Sequence, residues 1–348
     1  MNLLFILISA VVAEWPSRLL APYCDITMVP IFNITRASIK TGIPYWTIGP
    51  IISDKEGNPA WAGTIPIKND YYLKTINELR EQGGDIIILF GGSGVEIARL
   101  SKTVDELASK YQLVIDKYQA KQIVLDIQGS AILDNPAIEL RNQALKKLQA
   151  RNSDLKISFN LPTYVSGLDY TGMNVIKSAN GVGLKLHSVN LLTSNYGESG
   201  APDGKISMGA YAISALKGTY QQFQNLGFTY KLGVVPMIGQ NDVVNEIFTL
   251  QNANELVGFI ETTPWVNTVS YNSINRDTNV SGPLIVSSKL SQELYNFATI
   301  FKGWAGITKL TDTTPEVNLF KPSESQNSSP GYTAFYCISI VFSMMCLL

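Results

Sequence analysis

The alternation of short apolar runs with helical stretches, between residues 14 and 305, constrains the fold of this chain more than any other feature. The apolar runs are nearly continuous, as expected for parallel strands that helices cover on both faces. The predicted strands are 25–30, 45–52, 85–90, 122–127, 155–161, 185–192, 231–237 and 267–274. The predicted helices are 69–82, 104–117, 136–150, 208–226, 242–256 and 288–302.

Eight strands with helical crossovers, over about 290 residues, predict an α/β fold that closes as a (β/α)8 barrel, the TIM barrel. A doubly wound open sheet is the alternative that the pattern leaves open. In a closed barrel of this kind, ligands meet the C-terminal ends of the strands. The residues that end each predicted strand are therefore the candidates for a site.

Residues 1–13 have the pattern of a secretory signal peptide. An apolar run is closed by Ala13, with Val11 two residues before it, and these small or short side chains suit cleavage. The run is too short to cross a bilayer. A buried first strand is the alternative for this segment. The barrel domain is accordingly assigned to residues 14–305.

The C-terminal segment 332–348 contains no charged residue and ends the chain. It follows a polar linker, 306–331, whose last part is rich in small residues. Small residues, a polar spacer and a terminal apolar tail are typical of a glycolipid (GPI) anchor signal, with Ser323 as the attachment residue and Asn327 as the other candidate. A tail anchor that stays in the membrane is the alternative. Both predict a secreted protein held at the cell surface or in the cell wall.

Composition excludes several function classes. Charged residues make up 16% of the chain and the net charge is −1, so no electrostatic footprint for nucleic acid is present. His187 is the only histidine, so neither a metal site nor a His-based triad is expected, and no cofactor is predicted. Sequons at Asn33 and Asn279, with a third at Asn327, are compatible with N-glycosylation of an exported chain.

Six motifs stand at the ends of the later strands. In chain order they are FGGSG (90–94), VLDIQG (124–129), SFNLPTYVSGL (158–168), VNLLTSNYG (189–197), VVPMIGQND (234–242) and SINRD (273–277), and DKEGNPAWAG (54–63) follows the second strand. The ordered set resembles the bacterial-type branch of the family 18 glycoside hydrolases, the chitinases, from about residue 25 to residue 277. The resemblance implies a barrel whose site binds chitin or another N-acetylglucosamine-containing glycan.

The resemblance also implies a set of chemical roles. In these enzymes the acetamido oxygen of the substrate attacks the anomeric carbon, so the protein supplies no nucleophile. A glutamate that closes a D-x-D-x-E strand is the general acid, and the middle aspartate orients the acetamide. The matching positions here are Val124, Asp126 and Gln128, so only the middle aspartate is retained. The amide of Gln128 has no titratable proton to deliver to a leaving oxygen.

The sixth strand and the aromatic walls differ from the family as well. Asn195 stands where the family has an aspartate, and Tyr196 keeps the neighbouring tyrosine. Asn272 aligns with a tryptophan of the last strand, and Pro50 aligns with an aromatic residue of the second. Amide side chains still donate and accept hydrogen bonds to a sugar. The loss of aromatic surface weakens stacking on it.

These substitutions predict a chitinase-like protein without an intact catalytic set. The candidate substrate-binding residues are Asp126, Gln128, Asn195, Tyr196 and Asn272. Asp126 is expected about two residues, or 6–7 Å, deeper in the barrel than Gln128, too far to serve as the acid. A buried, hydrogen-bonded relic is the alternative for Asp126. Glycan binding and a structural role in the wall both remain open, as does a hydrolase of residual or altered specificity.

Overall fold

The computed structural model describes residues 15–197 and 207–307. Its strands are β1 (Leu19–Leu20), β2 (Tyr23–Asp25), β3 (Tyr45–Ser53), β4 (Pro59–Trp61), β5 (Ile65–Pro66), β6 (Asp85–Gly91), β7 (Gln122–Asp126), β8 (Lys156–Pro162), β9 (Ser188–Leu192), β10 (Leu232–Val235), β11 (Gly239–Gln240), β12 (Ile247–Phe248) and β13 (Val266–Val269). Its helices are α1 (Ile34–Thr41), α2 (Leu73–Glu81), α3 (Val104–Tyr118), α4 (Asn135–Arg151), α5 (Tyr170–Gly181), α6 (Met208–Leu226), α7 (Leu250–Glu261) and α8 (Asn296–Trp304).

Eight parallel strand positions form the barrel. β3, β6, β7, β8, β9, β10 and β13 hydrogen-bond in that order, and the eighth position is shared by β1 and β2. β1 pairs with β13 and β2 pairs with β3, all in parallel, so the segment from Leu19 to Asp25 joins the two edges of the sheet. The backbone N–H of Thr47 donates to the carbonyl of Pro22 (3.0 Å) between the two pieces. The predicted (β/α)8 barrel is therefore confirmed.

The alternation of side chains along β7 separates two apolar regions. Ile123 and Leu125 belong to the large core between the sheet and the helices. Val124 points the other way and belongs to a small cluster inside the barrel, whose members are Leu19, Ala21, Tyr45, Ile87, Leu89 and Val124. Because side chains alternate between the faces of a strand, Gln122 and Asp126 share the interior side with Val124.

The first barrel strand lies earlier in the chain than the predicted strand 25–30. The Asp25 carboxylate accepts hydrogen bonds from the backbone N–H (2.8 Å) and the hydroxyl (2.6 Å) of Thr27. Such a side-chain turn competes with strand continuation. The chain then leaves the sheet, and Val29 is 89% exposed. The apolar letters that follow Asp25 belong to a loop, so this part of the strand prediction was wrong.

Four helices differ from the sequence-based expectation. α1 and α5 were not predicted, although Asn33 and Asp169 each cap one of them through a side-chain oxygen. α7 begins at Leu250 rather than at residue 242, because the intervening residues form the β11–β12 hairpin and Thr249 caps the helix. α8 begins at Asn296 rather than at residue 288.

The late start of α8 has a long-range cause. The backbone N–H groups of Phe297 and Ala298 donate to the carboxylate of Asp277, at 3.2 and 2.8 Å. A buried acid that is distant in the chain therefore satisfies the first turn of this helix, where N–H groups otherwise lack partners. Among the described residues, no helix is both long and apolar enough to span a membrane.

Candidate functional site

The C-terminal ends of the barrel strands open into a cavity of about 500 Å³. One face of β7 and the second residue after the strand run along this cavity, through Gln122, Val124, Asp126 and Gln128. At about 3.3 Å per residue these positions span roughly 20 Å, so the cavity continues down the barrel axis. The other polar residues that line it are Tyr23, Asp25, Thr47, Ser93, Ser158, Asn160, Asn190, Ser194, Asn195, Asp242, Thr268, Ser270 and Asn272.

The glycines of FGGSG let the strand ends approach each other beside Asp126. Gly91 pairs with Asp126 across the β6–β7 ladder, and the N–H of Gly92 donates to the Asp126 carbonyl (3.0 Å). Gly91 has φ +93°, and a Cβ there would lie 2.3 Å from the same carbonyl oxygen. Any other residue would push β6 away from the site. The motif is thus a close-packed strand end, and this geometry places Asp126 at the cavity.

The Asp126 carboxylate has one hydrogen-bond donor within the described chain. Gln128 Nε2 donates to Asp126 Oδ1 at 3.1 Å. Burial raises the pKa of Asp126 to about 7, and the hydrogen bond from Gln128 opposes that rise. The side chain of Gln128 therefore folds back onto the deeper carboxylate. That Gln128 matches the position of the family's acid stays a prediction from the resemblance.

A second carboxylate and a tyrosine share the cavity with Asp126. Asp25 ends β2, and burial raises the pKa of its carboxyl while the two bonds from Thr27 lower it. Burial also raises the pKa of the Tyr23 hydroxyl, with further contributions from Asp25, Cys24 and Asp126. Neither Tyr23 nor Asp25 was predicted as a site residue. Because the first strand was predicted at residues 25–30, neither residue stood at its C-terminal end, where site residues were sought. In the structure Asp25 ends β2.

The residues after β9 are tied to the loop after β10. Asn195 adopts a left-handed backbone conformation (φ +56°). Its Nδ2 donates to Asp242 Oδ2 (3.1 Å), and its Oδ1 accepts the N–H of Val243 (3.2 Å). Buried Glu246 accepts the N–H of Gly197 at 2.8 Å. The side chain of Asn195 therefore joins the segment after β9 to the loop after β10, and the residue also lines the cavity.

Tyr196 has a different environment from its neighbour. It is 5% exposed and packs edge-on against Tyr211, with ring centroids 5.9 Å apart. Burial raises the pKa of its hydroxyl, and the nearby Glu246 raises it further. The tyrosine belongs to the large core, and it is not among the described residues that line the cavity.

The aromatic surface of the cavity is small. Asn272 and Pro50 both line it, and the resemblance aligns each of them with an aromatic residue of the family. Within the described part of the chain, Tyr23 is the only aromatic residue that lines the cavity. The cavity therefore offers a ligand little aromatic surface for stacking and mainly hydrogen-bonding groups.

The barrel interior is polar and internally bonded at the level of Asp126, where Asn160 is its partner across the β7–β8 ladder, and below it. Asn190 Nδ2 donates to Asn160 Oδ1 at 2.9 Å, and Ser188 Oγ donates to Asn190 Oδ1 at 2.7 Å. Gln122 is 2% exposed, and its Nε2 has no hydrogen-bond partner among the described residues. The interior wall thus offers neutral hydrogen-bonding groups beside Asp126 and beneath it.

The structure brings together most of the predicted site. Val124, Asp126, Gln128, Asn195 and Asn272 line one cavity, and their contact with a ligand stays a prediction. No cluster of three or more His, Cys, Asp or Glu side chains suited to a metal ion occurs in residues 15–197 and 207–307.

Some of the predicted modification sites lie within the described residues, and the others lie outside them. Asn33 caps α1, its Oδ1 accepting the N–H of Arg36 at 2.9 Å. Asn279 is exposed in the loop after β13. The predicted signal peptide 1–13, the anchor residue Ser323 and the tail 332–348 lie outside the described residues.

Comparison with known proteins gives two curated relatives. A probable bifunctional chitinase/lysozyme of Escherichia coli is 30% identical over 310 residues, which cover 82% of this chain and 34% of that protein. Endochitinase 11 of Metarhizium anisopliae is 31% identical over 255 residues, 69% of this chain and 49% of that protein. The chain thus spans between about a third and about half the length of these relatives. No protein-family model matches the chain.

Solved chitinase structures have the same fold as this chain. Active domain 2 of a chitinase from Pyrococcus furiosus, in catalytic-site mutants, superposes with a TM-score of 0.75 at 26% identity, covering 86% of this chain and 98% of that one. Mutants of the same domain complexed with chito-oligosaccharides superpose with a TM-score of 0.74 at 25% identity, with the same coverage. The comparisons agree with the barrel and with the resemblance carried by the strand-end motifs.

Proposed function

Because the chain belongs to the chitinase-like proteins of glycoside hydrolase family 18, we propose that it binds an N-acetylglucosamine-containing glycan, such as chitin, without hydrolysing it. One observation carries the proposal: the amide of Gln128, which the resemblance aligns with the general acid, donates its N–H to Asp126. An amide has no proton to transfer at any physiological pH. Leaving-group protonation therefore lacks its donor.

Support for binding comes from what the substitutions preserve. Gln128, Asn195 and Asn272 replace ionisable or aromatic residues of the family with amides that line the cavity. Amides hydrogen-bond to sugar hydroxyls in both directions. The related domain of a Pyrococcus furiosus chitinase has been crystallised with chito-oligosaccharides. A role as a wall structural component is the second form of the proposal, in which the cavity no longer binds sugar.

Residual hydrolysis is the alternative, and one observation favours it. Asp25 and Asp126 both line the cavity, and burial raises the pKa of each carboxyl. A protonated carboxyl is a possible acid if it reaches the glycosidic oxygen. Asp126 lies deeper than Gln128 along β7, which argues against that contact.

The test combines a binding and a hydrolysis assay on the secreted chain. We expect saturable binding to chitin beads and chito-oligosaccharides, weakened about tenfold or more by Asp126→Ala, as is typical when a buried polar contact is lost. We expect no released products. Asp154→Ala, at an exposed position outside the cavity, is the matched control.

Two results would contradict the proposal. Product formation that Asp126→Ala abolishes, with contaminating chitinase excluded, would establish a hydrolase. No binding by a folded sample would favour the wall structural role, with function on the outer surface of the barrel.

The location of the protein is part of the proposal. Secretion after removal of residues 1–13 and a lipid anchor at Ser323 would hold the barrel at the cell surface. Mass spectrometry of the mature chain tests both, since the expected first residue is Glu14 and the tail 332–348 should be missing. Release of the protein from membranes by a phospholipase would distinguish the lipid from a retained tail anchor.

A further inference from the structure

The two ends of the barrel differ in charge. Carboxylates line the cavity, and no lysine, arginine or histidine is among the lining residues that the structure describes. At the opposite end, a lysine stands at, or up to three residues before, the first residue of each of four neighbouring strands, β7, β8, β9 and β10. These lysines are Lys121, Lys156, Lys185 and Lys231. The net charge of −1 for the whole chain conceals this separation.

Strand pairing brings the four lysines into a row. The backbone N–H of Lys156 donates to the carbonyl of Lys121 at 3.0 Å, and the carbonyl of Lys231 accepts an N–H of β9 at 2.9 Å. The side chain of Gln149 exchanges two hydrogen bonds with the backbone of Lys185, at 2.9 and 2.8 Å. Because neighbouring strands lie about 4.8 Å apart, the row extends over about 15 Å of the barrel end.

The C-terminal part of α4 widens the row. Lys146 Nζ donates to the carbonyl of Gly183, two residues before Lys185, at 2.7 Å. Residues 142–188 contain six basic side chains and two acidic ones, and one of the acids, Asp169, caps α5 at the other end of the barrel. Together these cations form a surface that we call the basic face. Its members are Lys121, Lys146, Arg151, Lys156, Lys185 and Lys231.

Few carboxylates balance the basic face. Within the described chain, no ion pair joins a carboxylate to Lys121, Lys146, Arg151, Lys185 or Lys231. Like charges separated by less than the Debye length of about 8 Å repel each other, so a bound anion would relieve the repulsion.

The positive charge also affects a neighbouring side chain. Burial lowers the pKa of His187, and the charge of Lys156 lowers it further, to about 4. His187 is therefore neutral at physiological pH and adds no charge of its own to this end of the barrel.

The helix ends alone do not explain the row. Lysines often occupy the last turn of a helix, where they meet the partial negative charge of the helix dipole. Lys121, Lys185 and Lys231, however, lie three, four and five residues beyond the ends of α3, α5 and α6. That contribution falls off within the last turn, so these three side chains project beyond its reach.

We propose that the basic face binds an anionic polysaccharide, a glycan chain that carries sulfate, phosphate or carboxylate groups. A row of cations without partner carboxylates is complementary to a linear series of negative charges. A lysine ammonium pairs with an anion as a point charge and fixes little geometry, which suits a repeating polymer. The face lies at the end of the barrel opposite the cavity, so this proposal does not depend on glycan binding there.

Two other anionic partners fit the basic face less well. Segments that bind membrane surfaces combine basic residues with apolar side chains that enter the lipid. Single-stranded nucleic acid is usually held by exposed aromatic side chains as well as by cations. The segments 116–121, 146–156 and 177–187, which carry most of the basic face, contain no exposed large apolar or aromatic side chain.

The test measures binding of the full chain to a heparin octasaccharide, a sulfated probe, by isothermal titration calorimetry. An uncharged dextran oligosaccharide of the same length is the comparison ligand. We expect heparin to bind saturably, with an affinity that falls as ionic strength rises, and dextran not to bind. The triple variant Lys121→Gln, Lys185→Gln, Lys231→Gln should bind heparin about tenfold or more weakly, because three ion pairs with the ligand are lost.

The matched control removes the same charge from loops at the cavity end. It is the triple variant Lys55→Gln, Lys102→Gln, Lys289→Gln, whose three lysines are exposed. We expect its heparin affinity to change by less than about twofold, since charges beyond a Debye length are screened. An equal loss of affinity in the two triple variants would overturn the site, because overall charge would then explain the binding.

Other results would also decide against the proposal. A folded chain that does not bind heparin, or that binds dextran equally well, would overturn it. Tighter binding to phosphatidylserine vesicles or to single-stranded DNA would overturn the choice of partner. Thermal unfolding of both triple variants checks folding, because Lys231 Nζ also donates to the carbonyl of Pro264 at 3.0 Å. The exposed single variant Lys185→Gln provides a second test, and chitin-bead binding by all these variants should match wild type.

Discussion

One hydrogen bond joins the two residues on which the proposed function depends most: Gln128 Nε2 donates to Asp126 Oδ1. The resemblance implies that Asp126 corresponds to the aspartate that orients the acetamide in the family. The amide of Gln128 satisfies one carboxylate oxygen while carrying no proton to transfer. Under the proposed function, single side chains, rather than any change of fold, separate this barrel from a hydrolytic one.

Gln128→Glu should restore a titratable acid beside Asp126. Two carboxyls about 3 Å apart share a proton, which raises one pKa toward neutrality and creates a donor. We expect chito-oligosaccharide hydrolysis to rise at least about 10²-fold above the wild-type background. Chromatographic detection of released sugars measures it, with Gln128→Ala as the inactive control. A folded Gln128→Glu variant that binds but releases nothing would show that another substitution blocks catalysis.

Asp126→Asn should change the pH dependence of stability. Burial raises the pKa of Asp126 to about 7 in the folded chain, above the value of about 3.9 in an unfolded chain. The folded state then holds the proton more tightly, so stability from this group is complete below about pH 4 and is lost as pH rises toward 7. Asp277 shifts in the same direction, to about 6, but it is present in both proteins.

The variant lacks the ionisation of Asp126, so it should escape that loss. We expect Asp126→Asn to raise the free energy of unfolding by about 2 kcal/mol at pH 8, after allowing for solvent in the cavity, and to change it little near pH 4. Urea unfolding at both pH values measures the difference. A variant less stable than wild type at pH 8 would contradict the prediction.

At the scale of elements, the site is held by contacts between loops and helices that are distant in the chain. Glu96, in the loop after β6, accepts two hydrogen bonds from Arg141 Nη1 of α4, at 2.8 and 2.7 Å. Both side chains are buried, at 4% and 0% exposure. This ion pair fixes the segment that follows the FGGSG motif, and so it stabilises the glycine turn beside Asp126.

Glu96→Gln should therefore be strongly destabilising. It would leave the guanidinium of Arg141 buried without a counter-charge, which typically costs about 3–5 kcal/mol. The matched control is Lys74→Ala, which breaks the exposed pair with Glu78 on α2 (3.8 Å) and should cost less than about 1 kcal/mol. Urea unfolding of both variants tests the contrast, and equal small losses would count against it.

At the scale of the whole molecule, the barrel depends on the segment that closes it. Leu19 and Leu20 pair with Thr268 and Val269, and the N–H of Ala21 donates to the carbonyl of Val269 at 2.9 Å. Without these contacts the sheet would have an open edge at β13, with unpaired backbone groups. The interior apolar cluster would also lose Leu19.

Two truncations test this closure. A chain that lacks residues 1–16 should unfold cooperatively, because it keeps the β1–β13 pairing. A chain that lacks residues 1–20 should lose the cooperative transition or unfold at a markedly lower temperature. Circular dichroism during heating compares them. Equal melting of both chains would mean that β1 contributes little to the barrel.

Much of this architecture follows from local sequence patterns. The apolar runs of β3, β6, β7, β8 and β9 and the periodicity of α3, α4 and α6 match the observed elements closely, because strand and helix periodicity are properties of neighbouring residues. Helix starts were less predictable. α8 begins at Asn296 because the distant Asp277 satisfies its first N–H groups, and no local pattern contains that partner.

The sequence by itself determined the alternation of barrel strands with helices, the family resemblance and the amide at position 128, because each depends on the identity or spacing of residues within one segment. Only the tertiary structure decided which groups share the cavity. Asp25 from β2 joins Asp126 from β7 there, and Tyr196 packs into the core instead. The physical reason is that barrel closure brings distant strand ends together and sets their relative depth, and these long-range pairings leave no periodic trace in the chain.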